Sequence, residues 1–241
     1  MISFFRKIRR LLISEKKFSR YLLYAAGEIL LVMIGILLAL QVNNWNEYRK
    51  ERIEEDKILR EINRNLVIDI EEIDHMISLS QNNFKRIETL LNVIKQDSII
   101  EKNEMDSLFG AVHVRPQFQL NTSPFKTLNS KGINIISNDS LKSTILNVYE
   151  VWNRRLEHSS NVQYTVTAES VIPYYLEHFK EFKITRTSIP IDFEKVINDN
   201  YYENIVEYRL SMLLLFIYTC NVTQSEMIKL NEMIDKHFGE N

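Results

Sequence analysis

The sequence predicts an all-α protein: a single transmembrane helix followed by an antiparallel helical bundle with a long first helix. Three observations carry that prediction. First, 241 residues contain 5 Gly and 4 Pro, under half the usual share. That is too few turn-formers for a multi-stranded sheet or a Gly-looped nucleotide fold. Second, Leu22 to Leu40 is an apolar run with a single charge, Glu28. Third, aliphatic residues recur at seven-residue steps from Leu59 to Ile94, the period of a bundle helix or coiled coil. The single cysteine, Cys220, excludes an internal disulfide framework and a cysteine-based zinc cluster.

Residues 1–20 form a basic tail, with seven basic groups against one acid and a net charge of +6. On a helical wheel Phe4, Phe5, Ile8, Leu11 and Leu12 gather opposite Arg6, Lys7 and Arg10. That pattern fits an amphipathic helix lying in the headgroup layer of anionic lipid. It fits equally a tail that only supplies a topology signal.

Residues 21–42 form the transmembrane helix. The nineteen-residue run and its flanks cross a hydrocarbon core of about 30 Å. Its Leu, Ile and Val residues favour insertion by roughly 3 to 7 kcal/mol, against about 3 kcal/mol lost to a central carboxylate. Residues 43–60 balance five basic against five acidic groups. The positive-inside rule therefore keeps the N-terminus in the cytoplasm and places residues 43–241 on the far side. A cleaved signal peptide would have a shorter apolar core and small residues before the cut. Ala39-Leu40-Gln41 is a poor cleavage site, so the segment reads as an uncleaved signal-anchor.

Tyr24, Glu28, Gly35 and Ala39 fall on one stripe of this helix. Gly35-x-x-x-Ala39 lets two backbones approach, and a polar group on that face can hydrogen-bond across. The stripe (Glu28, Gly35, Ala39) reads as a membrane-helix association face, joining a homo-oligomer or another membrane or envelope protein. Two alternatives stand beside it: ion coupling through Glu28, or a neutralised carboxyl with no further role. Trp45 and Tyr48 suit the membrane–water interface as anchors to lipid.

The block Tyr21 to Ile36 (YLLYAAGEILLVMIGI), continuing through Ala39-Leu40-Gln41-Val42-Asn43-Asn44-Trp45-Asn46-Glu47, resembles the opening of an uncharacterised family of bacterial single-pass membrane proteins. The basic start (FFRKIRR, then KKFSRYLLYA) is similar too, and Ser123 to Leu141 looks like that family's central short-helix block. The resemblance implies one membrane helix followed by a helical domain in the envelope of Gram-negative bacteria. It thus implies the inner (cytoplasmic) membrane, with residues 43–241 periplasmic. The family carries no established activity, so no catalytic residue is implied.

Within 43–241 the first helix is expected to run to about Lys95. Leu59, Leu66, Ile73, Ile87 and Ile94 form its bundle seam, with Ser80 at the missing step. Glu54, Glu55, Lys57, Arg60 and Glu61 read as its solvated face, and Ser78 to Asn83 as a candidate bend. Residues 97–140 read as irregular, with Ser123-Pro124 opening a short helix that Gly132 stops. Asn138 or Asp139 caps the next helix, about 140–178. Its apolar side is Leu141, Ile145, Val148, Trp152 and Leu156, and Pro173 kinks it. A short helix near Phe193–Asn198 and a final one from about Tyr202 to Phe238 complete the bundle. Leu210 to Cys220 is too short to span a bilayer and reads as the buried bundle centre.

No reaction is legible. His75, His113, His158, His178 and His237 lie far apart, and no phosphate loop, G-x-S-x-G or base beside Cys220 is present. The outer segment, net −7, argues against nucleic acid. No enzyme activity, metal or cofactor is expected. Asp97-Ser98-Ile99, Asp106-Ser107-Leu108 and Asp139-Ser140-Leu141 resemble a bacterial O-glycosylation signal, although Asp-Ser pairs are ordinary caps and turns. The expected role is a membrane-anchored envelope interaction or scaffold protein, self-associating through its membrane helix and the Leu59–Ile94 seam. The alternative is an extracytoplasmic ligand-sensing helical domain without its own output domain.

Overall fold

The computed structural model describes residues 18–96, 101–182 and 187–239, so the amphipathic reading of residues 2–13 lies outside them. Helix α1 spans Phe18–Ile94. After it come α2 Lys102–Val112, α3 Ser123–Lys131, a 3-10 turn Ile133–Ile135 and α4 Asp139–Leu146. A π-helical turn Asn147–Trp152 leads into α5 Asn153–Val166, and a second, Thr167–Val171, into α6 Ile172–His178. Strands β1 Phe179–Phe182 and β2 Ser188–Pro190 pair antiparallel. Helices α7 Phe193–Ile197 and α8 Asn200–Gly239 complete the chain. The fold is all-α, with a short strand pair that helical periodicity does not signal.

The chain divides into two compact units after Glu54. In the first, residues 22–50 are exposed except Tyr24, Ala25 and Glu28, which are half-buried. This part of α1 is long and apolar enough to cross a membrane: its most apolar 18-residue stretch has a mean hydropathy of 2.3, and none of that stretch is buried. Helix α8 also meets that length and composition, at 1.3, but 44% of its apolar window is buried, as in a bundle core.

The second unit, Glu55–Asn241, is an antiparallel helical bundle. Asn63 Nδ2 donates to Asp235 Oδ1 at 2.8 Å and Lys95 pairs with Glu207, so α8 returns in the opposite direction to α1. Asn147 Nδ2 donates to Glu226 Oε2 at 3.2 Å and Arg209 to Gln163, which sets α5 antiparallel to α8. Leu59, Leu66, Ile73, Ile87 and Ile94 are all buried in this unit's core, with Ser80 in step. The self-association expected through this seam is therefore corrected: the chain's own helices already cover it. Ser78 to Asn83 stays helical, since it holds neither Pro nor Gly, and Ser80 and Asn83 face inward.

With the seam as heptad position a, position d reads Glu55, Ile62, Asp69, Met76, Asn83, Leu90. All six are buried, and every second one is polar. Glu55, expected on the solvated face, is 1% exposed. Its carboxylate accepts the Ser137 N–H and hydroxyl at 2.7 and 2.9 Å. Both oxygens of Asp69 accept the Asn121 N–H at 3.0 and 3.1 Å. Asn83 Nδ2 donates to the Ala111 carbonyl at 3.2 Å, and Arg86 to Ser107 Oγ at 2.9 Å. These partners pin residues 101–137 along α1 in the reverse direction. Their backbone polar groups could not be buried unpaired without a cost of about 1–3 kcal/mol each.

Three local expectations change. Lys102–Val112 is helical despite Gly110, because Phe109, Ala111 and Val112 are fully buried. Thr122, not Ser123, is the N-cap of α3 and makes no side-chain cap bond, while Gly132 ends the helix at φ 96°. The extra residue of the first π turn rotates the helix, so Asn153 and Leu156 face inward while Trp152 is half-buried. Pro173 sits in the first turn of α6, directly after the second π turn. That turn absorbs the hydrogen bond Pro cannot make.

Candidate functional site

Helix α8 buries one stripe of its apolar centre and exposes another. Leu213, Phe216, Ile217 and Cys220 are buried, whereas Leu214, Leu215 and Tyr218 are 51–63% exposed. The buried-centre expectation for Leu210 to Cys220 holds for one face only, because α8 packs at the edge of the bundle.

On the buried stripe sits Arg209, fully buried. Its Nε donates to the Val112 carbonyl at 3.0 Å, Nη2 to the Val114 carbonyl at 2.7 Å, and Nη1 to Gln163 Oε1. All three acceptors are neutral, and among the described residues no carboxylate pairs with it. Burial pushes the guanidinium down to about 10, so it remains charged at neutral pH. Such a cation costs several kcal/mol to bury, and its three acceptors offset part of that. His113 lies in the same region; burial first, and the Arg209 and Arg86 charges after it, hold its pKa below the ordinary histidine range. Tyr175 donates to the Phe109 carbonyl at 2.6 Å and shares a 2.9 Å bond with the Tyr202 hydroxyl. Burial holds both phenols well above their usual range, so they act as neutral structural donors. Burial likewise pushes the Cys220 thiol up to about 12, which removes it as a nucleophile.

Beside this centre, α5 and α8 leave an open cleft of about 630 Å³, within the range of small-molecule sites. Its α8 wall is formed by Met212, Leu215 and Tyr218, with the buried Thr219, whose hydroxyl donates to the Leu215 carbonyl at 2.8 Å, behind them. Its α5 side carries Arg154, Arg155 and His158 at the rim, with Ser159 and Gln163 toward the floor. The Arg155 guanidinium stacks 4.6 Å from the Trp152 ring centre, and Arg154 pairs with Glu150. Gln163 Oε1 is taken by Arg209, while its Nε2 has no hydrogen-bond partner among the described residues. The first π turn delivers Glu150 and Trp152 to this cleft.

Glu28, Gly35 and Ala39 lie in the unit that ends at Glu54, and a Cβ added at Gly35 would meet nothing within 4 Å. Trp45 and Tyr48 are exposed, with the Arg52 guanidinium 5.0 Å from the Tyr48 ring centre. Among the described residues no three His, Cys, Asp or Glu gather as a metal site requires. Asp97-Ser98-Ile99 lies outside the described residues. The Ser107 hydroxyl is engaged by Arg86, and Asn138, capping the Leu141 N–H at 3.0 Å, precedes Asp139-Ser140. Sequence reasoning missed Arg209, Gln163 and the cleft. The available signal was Arg209's position on the stripe Tyr202, Val206, Arg209, Leu213, Phe216, where every other member is apolar or aromatic.

Residues 28–210 match the model of the Family of unknown function (DUF6090), and the chain belongs to that family. No curated protein and no solved structure matches it.

Proposed function

We propose that this member of the DUF6090 family is a membrane-anchored interaction module of the bacterial envelope. In this reading residues 21–42 cross the inner membrane, the basic tail stays in the cytoplasm and the bundle stands in the periplasm. The observation that carries the reading is the exposure of thirteen large apolar side chains between Leu22 and Val42. At about 1.5–3 kcal/mol each, leaving them in water would cost on the order of 20–40 kcal/mol. That exceeds the stability of an ordinary domain, about 5–15 kcal/mol, so a lipid environment resolves it.

The face carrying Glu28, Gly35 and Ala39 supports self-association or pairing with another membrane protein. Gly35 has open space around it within the chain, and small residues let helices approach closely in lipid. No catalytic step is assigned. Crosslinking in intact membranes tests association: a dimer or higher band that Glu28→Leu or Gly35→Leu weakens is expected. Monomer alone, with both variants silent, refutes the association. Compartment-specific reporters fused after residue 48 and at the N-terminus test the topology; activity of the periplasmic reporter at the N-terminus refutes it.

A further inference from the structure

We propose that the α5–α8 cleft binds a small anionic amphiphile: a carboxylate or phosphate head joined to an apolar body about 9 Å long. The two walls differ in chemistry. Along α8, Met212, Leu215 and Tyr218 present an apolar strip, and Leu215 and Tyr218 are 51% and 63% exposed, so no protein group covers it. Six residues of helix give that strip a length of about 9 Å.

The α5 side is cationic. Of the charges lining the cleft, Arg154 is matched by Glu150, whereas Arg155 stacks on Trp152 and has no acid opposite it in the cleft. Behind the floor stands Arg209, a buried cation held by neutral acceptors. Gln163 relays that centre into the cleft: its Oε1 faces Arg209, and its Nε2 has no acceptor among the described residues. Gln163 is 1% exposed, and a buried N–H left unpaired costs about 1–3 kcal/mol. An anionic head on the α5 side supplies that acceptor and a counter-charge together. An inorganic anion leaves the α8 strip uncovered. The π turn at the cleft's end is consistent with a binding role, since such turns are frequent at functional sites.

The test uses the full chain in discs of zwitterionic lipid, carrying Trp45→Phe so that Trp152 is the sole tryptophan. Decanoate and decyl phosphate are titrated against decanol, decyltrimethylammonium and inorganic phosphate. Both anionic chains are expected to shift Trp152 fluorescence saturably, at concentrations at least 10-fold below the neutral and cationic chains. Gln163→Leu is expected to weaken them at least 10-fold. Leu215→Glu, a change on an exposed face, is expected to abolish them and decides the matter where Gln163→Leu perturbs folding. Equal responses to all three chain types overturn the proposal. So does competition by inorganic phosphate at the concentration of decyl phosphate, or an unaffected Leu215→Glu. A Leu215→Cys variant that oxidises to an inter-chain disulfide assigns the cleft to a second copy and likewise overturns it.

Discussion

Asp69→Asn is expected to stabilise the protein at neutral pH. Asp69 occupies a d position of α1 and is 2% exposed. Burial, opposed by the Asn121 N–H and reinforced by the charge of Glu72, pushes its pKa from 3.8 up to about 6. A carboxyl raised in the folded state binds its proton more tightly there than in the unfolded chain. Its favourable contribution is therefore present below about pH 4 and is lost as pH rises through about 6. Two pH units at 1.36 kcal/mol each set an upper bound of about 3 kcal/mol; screening by nearby solvent reduces the expected effect to about 1–2 kcal/mol. Asparagine cannot ionise, yet its Oδ1 still accepts the Asn121 N–H.

The assay is urea unfolding of the full chain in neutral detergent, followed by Trp152 fluorescence in a Trp45→Phe background, at pH 4, 5, 6 and 7.5. Parent and Asp69→Asn should be close in stability at pH 4. The variant should gain over the parent between pH 4 and 6, and the gap should be constant above 7. A gap that does not change with pH, or a variant less stable than the parent at pH 7.5, refutes the reasoning. A gap constant in pH would mean that folding leaves the Asp69 pKa unmoved, and one that turns against the variant as pH rises would mean that the Asn121 N–H outweighs burial.

The same unfolding assay checks three further expectations. Arg209→Met leaves the Val112 and Val114 carbonyls and Gln163 Oε1 without their donor and should cost about 3–5 kcal/mol. Arg209→Lys should recover less than half of that, since one ammonium cannot reach three acceptors set around a planar fork. Leu66→Ala, at a fully buried position, should cost about 2–5 kcal/mol, whereas its neighbour Val67→Ala, 46% exposed, should stay within about 0.5 kcal/mol. Gly132→Ala meets no atom within 4 Å, yet φ is 96°, so a loss of about 1–2 kcal/mol should arise from the backbone alone. Unchanged stability would show that the α3 terminus relaxes to negative φ.

What was legible in the sequence was local. The seven-residue recurrence from Leu59 reports one helix face, the Asn138 cap needs only Leu141 three residues on, and the stop at Gly132 needs only one φ angle. What was not legible depended on distant partners. Glu55 stands among charged neighbours and looks solvated, because Ser137, which makes its burial tolerable, lies 82 residues away. Arg209 likewise depends on carbonyls 95 and 97 residues away. Gly110 weakens a helix by about 1 kcal/mol, but the burial of Phe109 and Val112 outweighs that locally. The π turn has no periodic signature, and its one-residue rotation is what moved Trp152 from the expected core to the cleft.

The polar d positions also account for the uneven structure of the segment that returns along α1. Glu55, Asp69 and Asn83 are two heptads apart, so the rungs are equally spaced at about 21 Å. Their partners Ser137, Asn121 and Ala111 are not equally spaced in sequence. Ten residues cover the rung from Ala111 to Asn121, which requires about 2.1 Å per residue, more than the 1.5 Å rise of an α-helix allows. That stretch is accordingly non-helical from Val114 to Asn121. Sixteen residues cover the rung from Asn121 to Ser137, about 1.3 Å each, so the chain there must coil, as α3 and the 3-10 turn do. Apolar residues at Glu55 and Asp69 would bury more apolar area but leave the Ser137 and Asn121 N–H groups unpaired, at about 1–3 kcal/mol apiece, whereas the Ala111 carbonyl also accepts the Val114 N–H at 3.2 Å. The alternation along α1 thus fixes where the return segment is extended and where it is helical. It also leads that segment's Val112 and Val114 carbonyls to Arg209, the cation behind the α5–α8 cleft.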